Sequence, residues 1–151
     1  MAKQKAQEKI QYSRVYEGFR GLRSLFHELF GSNKEKTEIC VLGLNELLKK
    51  SNFINFFNFY HDLRKQNKIK LRLILNKDMK KLVEQKYKPA GMYSSQDNIK
   101  YIDFPFPTGV FIFKDHVINI IADEKVTAFD IKSRQNSERY RQFFNSIWKK
   151  S

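Results

Sequence analysis

The stretch from residue 37 to residue 76 constrains this chain most. Thr37 to Leu44 is a short apolar run that leaves through Gly43, while Phe53, Phe56, Phe57, Tyr60 and Leu63 recur at helical spacing until about Gln66. Ile69 to Leu75 then alternates apolar residues with Lys70 and Arg72 and stops at Asn76. A strand, one helix and a second strand pair in parallel only through a crossover, which lays the helix on one face of the sheet. The pattern predicts an α/β fold, and the aromatic face of its helix reads as core.

Upstream, Val15, Phe19, Leu22, Phe26, Leu29 and Phe30 recur at intervals of three and four, predicting an amphipathic helix that starts near Val15 and ends at Gly31. Gly18 and Gly21 are costly inside such a helix and mark close packing or a ligand approach. Residues 1–14 are polar and helix-prone, with Ile10 as their only aliphatic anchor, and are expected to be the end of a connecting helix. Downstream, Asp78 is placed to cap a short helix reaching Tyr87, Lys88 to Ser95 reads as a mobile connection, and Asn98 to Phe104 as a third strand. Val110–Phe113, Val117–Ile121 and Val126–Ile131 are separated by turn-sized segments and read as an antiparallel meander. Ser133 or Ser137 opens a last helix, on which Tyr140, Phe143, Phe144, Ile147 and Trp148 form an apolar stripe. The expected fold is one α/β domain whose mixed sheet, part parallel and part meander, is flanked by helices.

Charge narrows the partners less than its size suggests. The 151 residues carry 29 Lys and Arg against 16 Asp and Glu, a net +13 that favours anionic partners. The basic residues are spread over every element in sequence, so an ordinary solvated surface accounts for them equally well. The single cysteine, Cys40, lies within an apolar run and has no partner for an internal disulfide. With no signal-peptide core near the N-terminus and no membrane-length apolar run, a cytoplasmic protein is expected.

Chemistry-bearing motifs are scarce. His27, His61 and His116 fall on two helices and a turn without metal-ligand spacing, so neither metal nor cofactor is expected. Gly18-Phe-Arg-Gly21 does not form a phosphate loop, and Asp123 and Glu124 read as a solvated hairpin turn.

The blocks Val15–Leu22, Glu38–Gly43, Arg64–Asn76, Phe104–Ile120 and Tyr140–Trp148, taken in their order, resemble the C-terminal effector domain of archaeal TrmB-like transcriptional regulators. The resemblance implies a phospholipase D-like effector domain over residues 15–151, with residues 1–14 a remnant of a helical linker. Regulators of that kind join this domain to an N-terminal winged-helix DNA-binding domain, and several sense sugars. DNA contact by the present residues is then expected to be non-specific, or to come from a separate winged-helix domain.

The phospholipase D superfamily places a nucleophilic His, a phosphate-holding Lys two residues later and an Asp beyond them. In the best register Thr108, Val110 and Asp115 occupy those positions, so only the Asp survives. A threonine without a base is a poor nucleophile and valine neutralises no phosphate. The reading is therefore a non-catalytic, ligand-sensing and dimerising regulatory domain. Its small polar effector, such as a sugar, would lie at the C-terminal ends of the parallel strands among Tyr16, Glu17, Asn45, Asn76 and Thr108. A basic nucleic-acid-binding module is the alternative, and a residual phosphodiesterase or nuclease a more remote one.

Overall fold

A computed structural model describes residues 10–151. Its sheet has seven strands: β1 (Tyr12–Glu17), β2 (Thr37–Leu42), β3 (Ile69–Asn76), β4 (Asn98–Ile102), β5 (Gly109–Phe113), β6 (His116–Ala122) and β7 (Val126–Lys132), in the spatial order β1-β7-β6-β5-β2-β3-β4. The strands β2, β3 and β4 run parallel, whereas β5 joins β2 antiparallel and continues through β6 and β7 to β1. The mixed sheet expected from the sequence is present.

Helices cover both faces. On one side lie α1 (Gly18–Gly31), α2 (Asn45–Lys49) and α3 (Ile54–Gln66), together with a helical stretch that includes α4 (Lys80–Leu82) and a π turn, Val83–Tyr87. The other side is covered by α5 (Arg134–Lys150), whose Phe144 is buried against Leu42, Ile74, Val110, Ile112 and Val117. Being enclosed from both sides explains why every residue of β5 is buried and apolar or Gly, with no alternation. On α3, Phe56, Phe57 and Tyr60 are each 1% exposed, and burying each contributes about 2–3 kcal/mol. That aromatic face is core, as its spacing predicts.

Capping follows the sequence in places. The Ser133 hydroxyl accepts from the Asn136 N–H at the start of α5, and Asn67 closes α3. The start of α2 has no side-chain cap, and the Asn45 side chain turns to the neighbouring strand end.

The largest difference lies near the N-terminus. Residues 12–14 are not a helical linker, and Val15 does not begin a helix; both belong to β1, paired residue for residue with β7. The expectation for residues 1–9 falls outside the described residues. Val15 and Phe19 have helical spacing by coincidence, and the pairing that overrides it comes from a strand more than a hundred residues away in sequence. Gly18 makes the change from strand to helix at φ +73, a backbone conformation that side chains disfavour. Gly21 serves close packing, since a Cβ there would lie 3.4 Å from Tyr16. The third expected strand ends at Ile102 rather than Phe104. Among the described residues, no helix is long and apolar enough to cross a membrane.

Candidate functional site

The C-terminal end of β2 and the N-terminal end of β5 meet because these strands are antiparallel neighbours. Gly43 continues β2 at φ +77 and receives the Thr108 carbonyl so closely that no Cβ would fit; Phe106 Cβ would be 2.9 Å from one. Gly109 plays the same part against α2, where an added Cβ would be 3.1 Å from Leu44 and 3.2 Å from Leu47. Two glycines thus let the strand ends, α2 and the segment 103–108 close on one another. The cavity that remains is about 130 Å³ and is lined by Glu46, Leu47, Lys50, Phe106, Thr108 and Asp123 among others.

Of the five candidate ligand residues, Thr108 alone lines this cavity. Asn45 and Asn76 are brought together, but by structural bonds: the Asn76 N–H donates to Asn45 Oδ1 at 3.4 Å, and Asn76 Nδ2 donates to the Phe104 carbonyl at 3.0 Å. They tie the parallel strand ends to the segment that covers them. Glu17 lies in the transverse row of Ile121, through Thr127, and Tyr16 in that of Ile120, through Ala128. β1 is two strand spacings, about 10 Å, from β6 and three from β5, the strands that line the cavity, and neither Tyr16 nor Glu17 is part of its lining. Tyr16 packs against the core instead.

The three positions aligned with a phosphotransfer motif are dispersed as well. Val110 pairs with Leu42 and Asn119, and its side chain is buried in the core beneath α5. Asp115 lies in the turn after β5, at the other end of the strand from Thr108 and at least about 17 Å away by strand rise. Its carbonyl accepts from Ser133 N–H at 2.8 Å, and its carboxylate lies 4.0 Å from Arg134. Asp115 is a turn residue, as its place in the hairpin predicts.

No histidine borders the cavity. His116 pairs through Nδ1 with the buried Asp130 at 2.8 Å, His27 is exposed on α1, and His61 is buried beside Arg64. Burial, then the charges of Arg64 and Lys65, hold the His61 imidazole well below its ordinary pKa. Among the described residues no group of three or more His, Cys, Asp and Glu could hold a metal ion. The cavity offers one hydroxyl, one ammonium and two carboxylates, a set suited to hydrogen-bonding a small polar molecule. Glu46 and Lys50 are not singled out in the sequence, and Asp123 reads there as part of a solvated turn. The available signal was the pair of strand-end glycines, Gly43 and Gly109, which mark close backbone approach.

No family model matches the chain, and no curated protein matches it. Solved structures do. TrmBL2, described as an archaeal chromatin protein with a novel mode of DNA binding, matches with a TM-score of 0.61 at 16% identity, over 99% of this chain and 61% of its own. The present chain therefore spans less than two thirds of that protein. NucT from Helicobacter pylori matches with a TM-score of 0.60 at 9% identity, over 93% of this chain and 97% of its own. Phosphatidylserine synthase from Haemophilus influenzae Rd KW20 matches with a TM-score of 0.59 at 11% identity, over 88% of this chain and 36% of its own. Identities this low establish the fold alone, and the seven-stranded mixed sheet flanked by helices is what the three share with this chain. The chain has the phospholipase D-like fold, in the arrangement that also forms the C-terminal region of the TrmB-type protein TrmBL2.

Proposed function

We propose that this chain is a non-catalytic regulatory domain, a phospholipase D-like scaffold that holds a small polar effector where related folds carry out chemistry. One observation carries the reading: segment 103–108 closes onto Gly43 and leaves a cavity whose hydroxyl, Thr108, has no imidazole beside it. A hydroxyl without a base is a weak nucleophile, and the Val110 position supplies no charge to a phosphate. Pockets for drug-sized ligands usually measure roughly 300–1,000 Å³, so a 130 Å³ cavity suits a ligand the size of a small polyol or amino acid. A whole hexose would require segment 103–108 to move outward.

Dimerisation belongs to the same proposal. Val15, Phe129 and Ile131 are 59%, 41% and 41% exposed on neighbouring strands, and Val15 is paired with Phe129 at one margin of the sheet. An apolar strip of this kind is suited to self-association. The likeness to a chromatin protein supports a regulatory setting for the domain.

The test is a thermal-unfolding screen with small polyols, amino acids, hexoses and sugar phosphates, because a ligand that binds only the folded state raises its melting temperature. A rise of about 5–10 °C for one class, abolished by Lys50→Ala or Thr108→Ala, is expected at ~100 times Kd. The same small shift for every class, unchanged in both variants, would count against the cavity as the site.

A further inference from the structure

The opposite end of the sheet carries a different surface. Lys36, Lys65, Lys68 and Lys70 border a groove of about 520 Å³ along the N-terminal ends of β2 and β3. Lys36 and Lys70 are shared with a second groove of about 500 Å³, which continues to Lys114 and Arg141. The two form one margin. Residues scattered from position 36 to position 141 are thus gathered along one side by the topology, which no reading of charge runs in the sequence reveals.

The acidic residues of this margin are already engaged. Asp97 is bound by the buried Arg64 at 2.8 Å, Glu38 by Arg72 at 2.7 Å, and Asp115 faces Arg134 at 4.0 Å. None of those three arginines is among the six basic residues named above. Among the described residues, the ion pair that opposes any of the six is the one from the exposed Glu35, 4.0 Å from Lys114, which leaves an excess of about five positive charges. At the other end, the lining of the strand-end cavity has one lysine against two carboxylates.

Backbone geometry at the margin singles out the same residues. Among the described residues, the two non-glycine positions with positive φ are Lys68, at 60°, and Lys114, at 50°. Turns of this kind favour Gly or Asn, yet both positions hold lysine, and both lysines face the grooves. The groove floor is also held firmly. Asp97 accepts from Arg64, from Leu71 N–H at 3.1 Å and from Ser94 N–H at 2.8 Å, which fixes Ser94, Ser95 and Gln96 along the rim.

The geometry points to a binding site for the phosphate backbone of double-stranded nucleic acid. No aromatic side chain borders either groove, so bases have nothing to stack on, which disfavours a single strand. No exposed apolar residue borders them either, so the margin lacks the wedge that holds a protein to a bilayer. Lysines, serine hydroxyls and one glutamine suit a duplex backbone read without regard to sequence. This site is independent of the strand-end cavity, and failure of either leaves the other standing.

The experiment is fluorescence anisotropy with a labelled duplex DNA of about 20 base pairs, its single strand, and vesicles rich in anionic lipid, over a series of salt concentrations. With about five phosphate contacts, log K should fall against log salt with a slope near −4.5, a loss of several hundred-fold from ~50 to ~200 mM salt. The double variant Lys68→Asn, Lys70→Gln, which keeps a residue tolerant of positive φ at position 68, should weaken binding more than ten-fold and reduce the slope by about 2. Lys77→Gln, Lys80→Gln, whose lysines border a separate hollow beside β4, should leave binding unchanged. A slope shallower than about −2, equal losses in both double variants, or tighter binding to single strand or vesicle than to duplex would overturn the proposal.

Discussion

Removing the Asp97 carboxylate should unfold this domain more readily than any other single change on its surface loops. The carboxylate takes both amino groups of Arg64 at 2.8 Å, and the side chains of the pair are each 1% exposed. It also satisfies the N–H groups of Leu71 and Ser94, so Asp97→Ala leaves a buried guanidinium without its counter-charge and orphans a strand amide. Breaking one side of a buried pair costs about 3–5 kcal/mol, a large share of the roughly 5–15 kcal/mol that holds an ordinary domain together. With a urea dependence of about 2 kcal/mol per molar, the unfolding midpoint followed by circular dichroism should fall by about 2 M. Replacing both partners, Arg64→Met with Asp97→Leu, should cost less than the two single changes added together. The pH dependence has a fixed sign. Burial raises the Asp97 pKa, but the hydrogen bonds from Arg64 and the Ser94 and Leu71 amides, with the Arg64 charge, outweigh it and hold the carboxyl below its usual value. A depressed folded value stabilises the protein above the unfolded pKa of about 3.9, and that contribution is lost as pH falls through the folded value. The wild type should therefore lose stability more steeply than Asp97→Ala below about pH 4. A midpoint shift under ~0.5 M, or parallel acid curves for the two proteins, would refute the reasoning.

Two further outcomes follow from particular contacts. Gly43→Ala should cost about 3 kcal/mol, because a Cβ there meets the Thr108 carbonyl at a positive φ, whereas Gly91→Ala, also at φ +77 but with nothing within 4 Å, should cost only about 1 kcal/mol; denaturant titration of both separates crowding from backbone strain. Cys40 is 1% exposed and burial pushes its thiol up to about 11, so disulfide-exchange labelling at pH 8 should run about a hundred-fold slower in the folded protein than in urea; stoichiometric labelling of the folded state within seconds would contradict this placement.

What the sequence made legible was mostly what local pattern encodes. The aromatic face of α3, the alternation of β3, the meander and the stripe on α5 each announce their structure within a dozen residues. The strand β1 does not, since Tyr12–Glu17 becomes a strand only by pairing with β7. Neither does the bond from Arg64 to Asp97, which spans 33 positions, nor the basic margin, whose lysines are collected by the parallel pairing of β2 and β3 and the hairpin after β5. The candidate site was legible in location more than in membership. Thr108 lines the cavity, but the charged side chains beside it come from a short helix at Glu46 that the sequence pattern did not mark and from the turn at Asp123, which reads as solvated.

The central claim is that this chain keeps a phosphotransfer scaffold without its chemistry. Hydrolysis of bis(p-nitrophenyl) phosphate and of duplex and single-stranded DNA by the purified protein tests it most directly. The account predicts no protein-dependent hydrolysis, and any trace activity should be the same in Thr108→Ala and Asp115→Ala. Hydrolysis that disappears in both variants would contradict it, because two residues at opposite ends of β5 would then have to serve one reaction.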